Sequence, residues 1–230
     1  MGGEPQELSE AVAFWLHYQR LTGLKGLLNE SSMTLPIAEF LSVSHKKEIY
    51  SEMTHPLFKQ IGGGRPRQIV FVRKTSNGKA WAAAYECKFD RQDFFSIIND
   101  LCRLVCLAQA RCEIGSPERN FIFATRVNEK KEILSNGFNT GEGERRPYFD
   151  GILSIGRSAV DIKKPFKINN LHTKQRSAFR TFCKNYRAKI PSKIVVELKG
   201  WCQTDLFACG VWKIRSSRGA KLLGAEEISG

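Results

Sequence analysis

The sequence predicts an α/β fold, with a mixed central sheet flanked by helices, and three observations carry that prediction. Residues 91–111 hold one wide apolar stripe at helical spacing: Phe94, Ile97, Ile98, Leu101, Leu104, Val105 and Ala108. The segment before it, Ala80 to Phe89, is almost continuously apolar up to Tyr85, as a strand buried on both faces would be. Ser76-Asn77-Gly78 separates that strand from another at Gln68 to Arg73, and Asn-Gly accepts the positive φ of a tight hairpin.

The remaining elements follow in chain order. Leu8, Val12, Trp15 and Leu21 stand at near-helical spacing and predict a helix over residues 5–29. Pro36 opens a short apolar segment from Ile37 to Val43, and His45 to Met53 is ambiguous, with a helix among the readings. Gly62-Gly63-Gly64-Arg65-Pro66 breaks the chain. Asp90 is placed to cap the long helix. Asn120 to Val127 reads as a strand, residues 129–136 as a short helix, and Asn139 to Arg146 as a polar loop. Strands are expected at Ile152 to Ile155, Ala159 to Ile162, Ile194 to Leu198 and Phe207 to Ile214, with a helix over 172–188. The chain then divides into an N-terminal helical segment (1–44), an α/β core (45–138), a basic C-terminal part of the same domain (139–216) and a frayed tail (217–230).

Composition narrows the class. The chain has 230 residues, 42% of them apolar, enough for one core and too many for a disordered chain. No stretch approaches the ~18 apolar residues of a membrane span. Glu4, Glu7 and Glu10 stand where a secretory leader is basic, so none is expected. Seven cysteines without a C-x-x-C pair suggest neither a zinc ribbon nor a redox motif; a reducing, cytoplasmic setting is expected. The formal charge of +13 is uneven. Residues 1–60 hold 5 Lys/Arg against 7 Asp/Glu, residues 61–127 hold 11 against 6, and residues 128–230 hold 20 against 10. That gradient predicts a polyanionic partner, nucleic acid, for the C-terminal half.

Glu86-Cys87-Lys88 closes the second strand of the hairpin. Alternation along a strand puts Glu86 and Lys88 on one face and Cys87 on the other. A carboxylate there can hold Mg²⁺, which acidifies a water, and an ammonium beside it can orient that water and stabilise developing charge. This pairing suits phosphodiester hydrolysis. E-x-K alone occurs by chance in most chains of this length, so its context matters.

That context is the order helix, strand, Asn-Gly hairpin, strand ending in E-x-K, long helix, strand. With Trp81-Ala-Ala-Ala-Tyr-Glu86-Cys-Lys88-Phe89 followed by Asp100-Leu-Cys-Arg103-Leu104, it resembles the PD-(D/E)xK nuclease superfamily, in particular uncharacterised bacterial members. The likeness covers residues 45–127. It implies a restriction-endonuclease-like core and a Mg²⁺- or Mn²⁺-dependent endonuclease acting on DNA ahead of RNA, of restriction or phage-defence type, with a homodimer among the expected states. By position, it makes Glu86 a metal ligand and Lys88 the catalytic lysine. The Cys87 backbone carbonyl completes the metal site, and Glu52 is the acid contributed ahead of the hairpin. Asp100 and Arg103 are structural by the same likeness, with orienting those groups among their roles. The sequence departs from the pattern at Val70, which stands where the family has a metal-binding aspartate. The alternative is a nucleic-acid-binding module on a degenerate nuclease fold.

Two other constellations compete, each with a surface ion pair as its plainer reading: Asp150 with Asp161 and Lys163, and Glu197 with Lys199. Neither precedes a long apolar helix. For phosphate contacts, Arg176, Arg180, Lys184 and Arg187 share one face of the 172–188 helix, and Arg65 and Arg67 lie before the first hairpin strand. From Lys163 to Lys221 there are 15 Lys/Arg and only two acids, Glu197 and Asp205.

Overall fold

The computed structural model describes residues 3–24, 28–45, 48–58, 68–90, 94–128, 137–139, 145–147, 149, 152–153 and 163–229. A seven-stranded mixed sheet forms the centre, with helices on both faces. In chain order the elements are α1 (Glu4–Leu21), α2 (Glu30–His45), β1 (Ile49–Thr54), β2 (Gln68–Lys74), β3 (Trp81–Phe89), α3 (Phe94–Cys106) and a short α4 (Arg111–Ile114). They continue with β4 (Glu118–Arg126), β5 (Gly137–Asn139), β6 (Arg145–Pro147), β7 (Lys163–Lys167), α5 (Thr173–Tyr186), β8 (Ile190–Pro191), β9 (Lys193–Gln203), β10 (Phe207–Ser216) and β11 (Leu222–Leu223).

The sheet order is β1-β2-β3-β4-β10-β9-β7. β1, β2 and β3 form an antiparallel meander, and the turn between β2 and β3 places Gly78 at φ +69. β3 pairs with β4 in parallel, which requires a crossover, and α3 supplies it. β10, β9 and β7 extend the sheet antiparallel from β4.

Alternation along β3 divides its side chains between two apolar layers. Tyr85, Cys87 and Phe89 pack with Leu8, Val12 and Leu16 of α1 and with Met33, Ile37 and Leu41 of α2. Trp81 and Ala84 join the opposite layer, with Ile97, Leu101 and Leu104 of α3 and Phe179 and Phe182 of α5. α1 lies close on β9. A Cβ on Gly200 would come within 2.0 Å of the Pro5 carbonyl oxygen, so only glycine admits the contact. The Gln6 side chain completes this seam: its Nε2 donates to the Trp201 carbonyl and its Oε1 accepts from the Trp201 N–H, each at 3.1 Å.

Five expectations need correction. The first helix stops at Leu21, where Gly23 at φ +88 leaves the helical region, and a second helix begins at Glu30. Pro36 lies inside that helix instead of opening a new segment. Residues 49–54 are strand, because Ile49, Tyr50 and Met53 pair with Arg73, Val72 and Ile69 of β2. The tail is docked: Leu222 and Leu223 pair with Pro191 and Ile190, and Ile228 is buried. Ile152 and Leu153, expected in a strand, instead form a turn, each donating its N–H to the Phe149 carbonyl. The rest of the strands expected near 152–162, the helix at 129–136, and Arg65, Arg67, Asp150 and Asp161 lie outside the described residues. No helix among the described residues is long and apolar enough to cross a membrane.

Candidate functional site

Glu86 sits on the α3 side of β3, fully buried. Its Oε1 accepts from Arg103 Nε at 2.9 Å. Arg103 Nη2 in turn donates to Asp100 Oδ1, one helical turn back on α3. Lys88 Nζ donates to both carboxylate oxygens of Glu30, at 3.1 and 3.0 Å. It also stands 3.3 Å from Asp100 Oδ2, an ion pair off the line of a hydrogen bond. The result is one chain of charges, Glu86–Arg103–Asp100–Lys88–Glu30, tying β3, α3 and the start of α2 together.

Burial decides the proton affinities here. The Glu86 carboxyl is pushed up to about 8, because desolvation outweighs the attraction of Arg103, and the Asp100 charge adds to the rise. Asp100 is raised by burial too, against the pull of Arg103 and Lys88. Burial alone would lower Lys88, but Asp100 and Glu30 outweigh it and the ammonium is held more firmly. Arg103 behaves likewise, with Glu86 and Asp100 overcoming its desolvation. Three carboxylates face two cations. Glu86 Oε2 is buried without a hydrogen-bond partner.

His55 is buried behind Arg103. Its Nδ1 accepts from the Leu57 N–H at 3.2 Å, so Nε2 carries the proton and donates to the Arg103 carbonyl at 3.0 Å. Desolvation lowers it to about 4. Its ring stacks on Phe58 at 4.3 Å, and Phe58 packs on Phe182 and Tyr186 of α5 at 5.8 and 5.2 Å. The basic helix is thus joined to the charge chain through two rings.

The other expected ligands are elsewhere. Glu52 is exposed on the edge strand β1, at φ 53, and contacts no member of the chain. The β2–β3 ladder ends at Phe71↔Tyr85, one residue short of bringing Val70 opposite Glu86. Val70 packs instead into the layer beneath α1 and α2. Cys87 is held in the β3–β4 ladder opposite Ile122. Among the described residues no group of three or more His, Cys, Asp or Glu side chains is disposed to hold a metal ion. With Arg103 on Glu86 Oε1 and no such group of ligands around it, the arrangement seen does not fit Mg²⁺.

Of the competing constellations, Glu197 is an ion-pair centre, 2.8 Å from Lys199 and 3.0 Å from Arg215. Of the four cations expected on one face of α5, Arg187 follows the last helical residue as its C-cap, at φ 48. Gln175, Ala178, Phe179, Phe182 and Cys183 are buried, while Lys184 and Arg187 are exposed. Arg180 is half-buried, and Arg176 donates to the Asn169 carbonyl and Thr173 Oγ1, each at 3.1 Å. His172, which carried no role in the sequence reading, caps the helix by accepting from the Lys174 N–H. Glu30 was missed altogether; it lies 58 positions from Lys88, and no local pattern marks it.

Comparison with known family models, with characterised proteins and with solved structures finds no match to this chain, so its site is read from its own chemistry.

Proposed function

We propose that this chain binds nucleic acid, DNA ahead of RNA, on a nuclease-like core in which the Glu86–Lys88 centre serves the fold in place of a metal. The observation that carries this reading is the Arg103 guanidinium on the Glu86 carboxylate at 2.9 Å, in a place closed to solvent. A buried carboxyl group already bonded to a guanidinium has little reason to take a divalent ion, and removing the guanidinium would leave its buried carboxyl partners, Glu86 and Asp100, without it. The order of two helices, three antiparallel strands, a helix and a parallel strand supports the PD-(D/E)xK likeness. The charge of the C-terminal half supports the polyanion: Arg180 and Lys184 of α5 and Arg187 at its C-cap have no ion-pair partner among the described residues.

A second reading, the Mg²⁺- or Mn²⁺-dependent endonuclease, is favoured by one observation. Past Phe71↔Tyr85 the strands β2 and β3 part, and Glu86 and Lys88 stand on the stretch of β3 that pairs with β4 alone. Incubation with supercoiled plasmid and with single-stranded oligonucleotides, in Mg²⁺, Mn²⁺ or EDTA, separates the two. Retention without cutting supports the binding protein. Cutting that requires metal and is lost in Glu86→Ala restores the nuclease.

A further inference from the structure

The ends of β7, β9 and β10 enclose a pocket of about 430 Å³ on the basic half of the chain. Backbone hydrogen bonds brace its walls. The Ile168 N–H donates to the Ser192 carbonyl at 3.0 Å, Ser192 to Lys221 at 2.7 Å, and Ser217 to Lys193 at 3.0 Å. Gly219, at φ +71, turns the segment that follows β10 and lines the pocket.

The lining is chemically one-sided. Lys167, Lys193, Arg218 and Lys221 bring four cations to it. Asn169, Asn170, Ser192 and Ser217 add neutral hydrogen-bonding side chains. No carboxylate and no aromatic ring is among the lining residues. Lys221 pairs with Glu227 at 3.5 Å outside the lining, whereas Lys167, Lys193 and Arg218 have no ion-pair partner among the described residues. Like charges gathered around a concave space repel one another, and an anion entering that space relieves the repulsion. Without an aromatic face the pocket has no platform for a base to stack on. Its donors suit phosphate oxygens, and its volume falls within the range of about 300–1,000 Å³ typical of ligand sites.

We infer that this pocket binds clustered phosphates and that its occupant is the sugar–phosphate backbone of a nucleic-acid strand passing on to α5. The inference rests on the nucleic-acid reading above. The link to α5 is direct: Asn169, in the pocket wall, has its carbonyl held by Arg176 of α5 at 3.1 Å, so pocket and helix face are continuous. The pocket grips the strand without reading its sequence, and the α5 cations track the adjoining phosphates.

The test compares the intact chain with a pocket variant, Lys167→Ala/Arg218→Ala, and a helix variant, Lys184→Ala/Arg187→Ala. All four side chains are exposed, so both variants should fold. Fluorescence anisotropy with a labelled single-stranded oligonucleotide, over a salt series, gives affinity and slope. The pocket variant is expected to bind about tenfold more weakly, with a log–log salt slope reduced by about 1.4 for two lost phosphate contacts. Inorganic tripolyphosphate should displace the oligonucleotide from the intact chain. A pocket variant indistinguishable from the intact chain, with the helix variant weakened, overturns the pocket and leaves the nucleic-acid reading standing. An intact chain that binds tripolyphosphate by calorimetry but no oligonucleotide overturns the strand as occupant, together with the reading it rests on.

Discussion

Two groups of charged side chains occupy this molecule under opposite conditions. Around Glu86 both cations are largely buried and held by carboxylates, Arg103 by Glu86 and Asp100, Lys88 by Glu30 and Asp100. On α5 and around the phosphate pocket, Arg180, Lys184, Arg187, Lys167, Lys193 and Arg218 have no such partner among the described residues. The first group is internally compensated and joins three elements of the core. The second leaves its field open to solvent, where a polyanion can answer it. On the proposed reading, the motif that most resembles catalytic machinery serves the fold, and the charges without a motif carry the binding.

The comparison breaks most visibly at Arg103. Arg103→Met leaves Glu86 and Asp100 buried without their guanidinium and should cost about 3–5 kcal/mol of stability. Adding Glu86→Leu removes the stranded carboxylate and should recover part of that loss, because apolar replacement of a buried pair is often nearly neutral. Urea unfolding measures both. An Arg103→Met protein as stable as the original would remove the structural role assigned to the chain of charges.

Acidity sharpens the same contrast. Folded Glu86 keeps its proton to about pH 8, whereas the unfolded carboxyl releases it near 4.5. The folded state thus binds more protons over that interval, and this contribution to stability falls as pH rises through it. His55 works the other way. The unfolded imidazole protonates near 6.5 and the buried one only near 4, so stability is lost as pH falls between those values. The two nearly offset each other between about 4.5 and 6.5, and above 6.5 the Glu86 contribution stands alone. Thermal melting should show stability declining from pH 6.5 to 8, and Glu86→Gln should flatten that decline. A decline of equal steepness in the variant would place its origin outside Glu86.

Surface charges should barely register in folding. Lys184→Ala/Arg187→Ala should change stability by no more than about 0.5 kcal/mol per site while weakening oligonucleotide binding. Lys199→Ala, which removes an ion-pair partner of Glu197, should cost at most about 1 kcal/mol. Loss of several kcal/mol in either variant would erase the distinction between the two regions.

What the sequence made legible follows from range. β3, the hairpin turn and α3 were readable because apolar period and Asn-Gly act over a few residues. Asp100 and Arg103 share a helix face at a spacing of three, so their pairing could be read locally. That Arg103 would reach Glu86, and Glu30 would reach Lys88, depends on how α3 and α2 pack against β3, which no local pattern records. Glu52 was assigned to the site by position along the chain, yet the edge strand leaves it exposed. The pocket cations come from four places between 167 and 221, brought together only by strand order. The tail carried too few apolar residues to announce that Leu223 and Ile228 are core.

The most direct test of the account is oligonucleotide affinity measured in Mg²⁺ and in EDTA at equal ionic strength, with the strand recovered and sized afterwards. The account predicts the same affinity in both, a steep loss with added salt, and an intact strand. Tighter binding in Mg²⁺ together with a shortened strand, both abolished in Glu86→Ala, would contradict it and return Glu86 and Lys88 to catalysis.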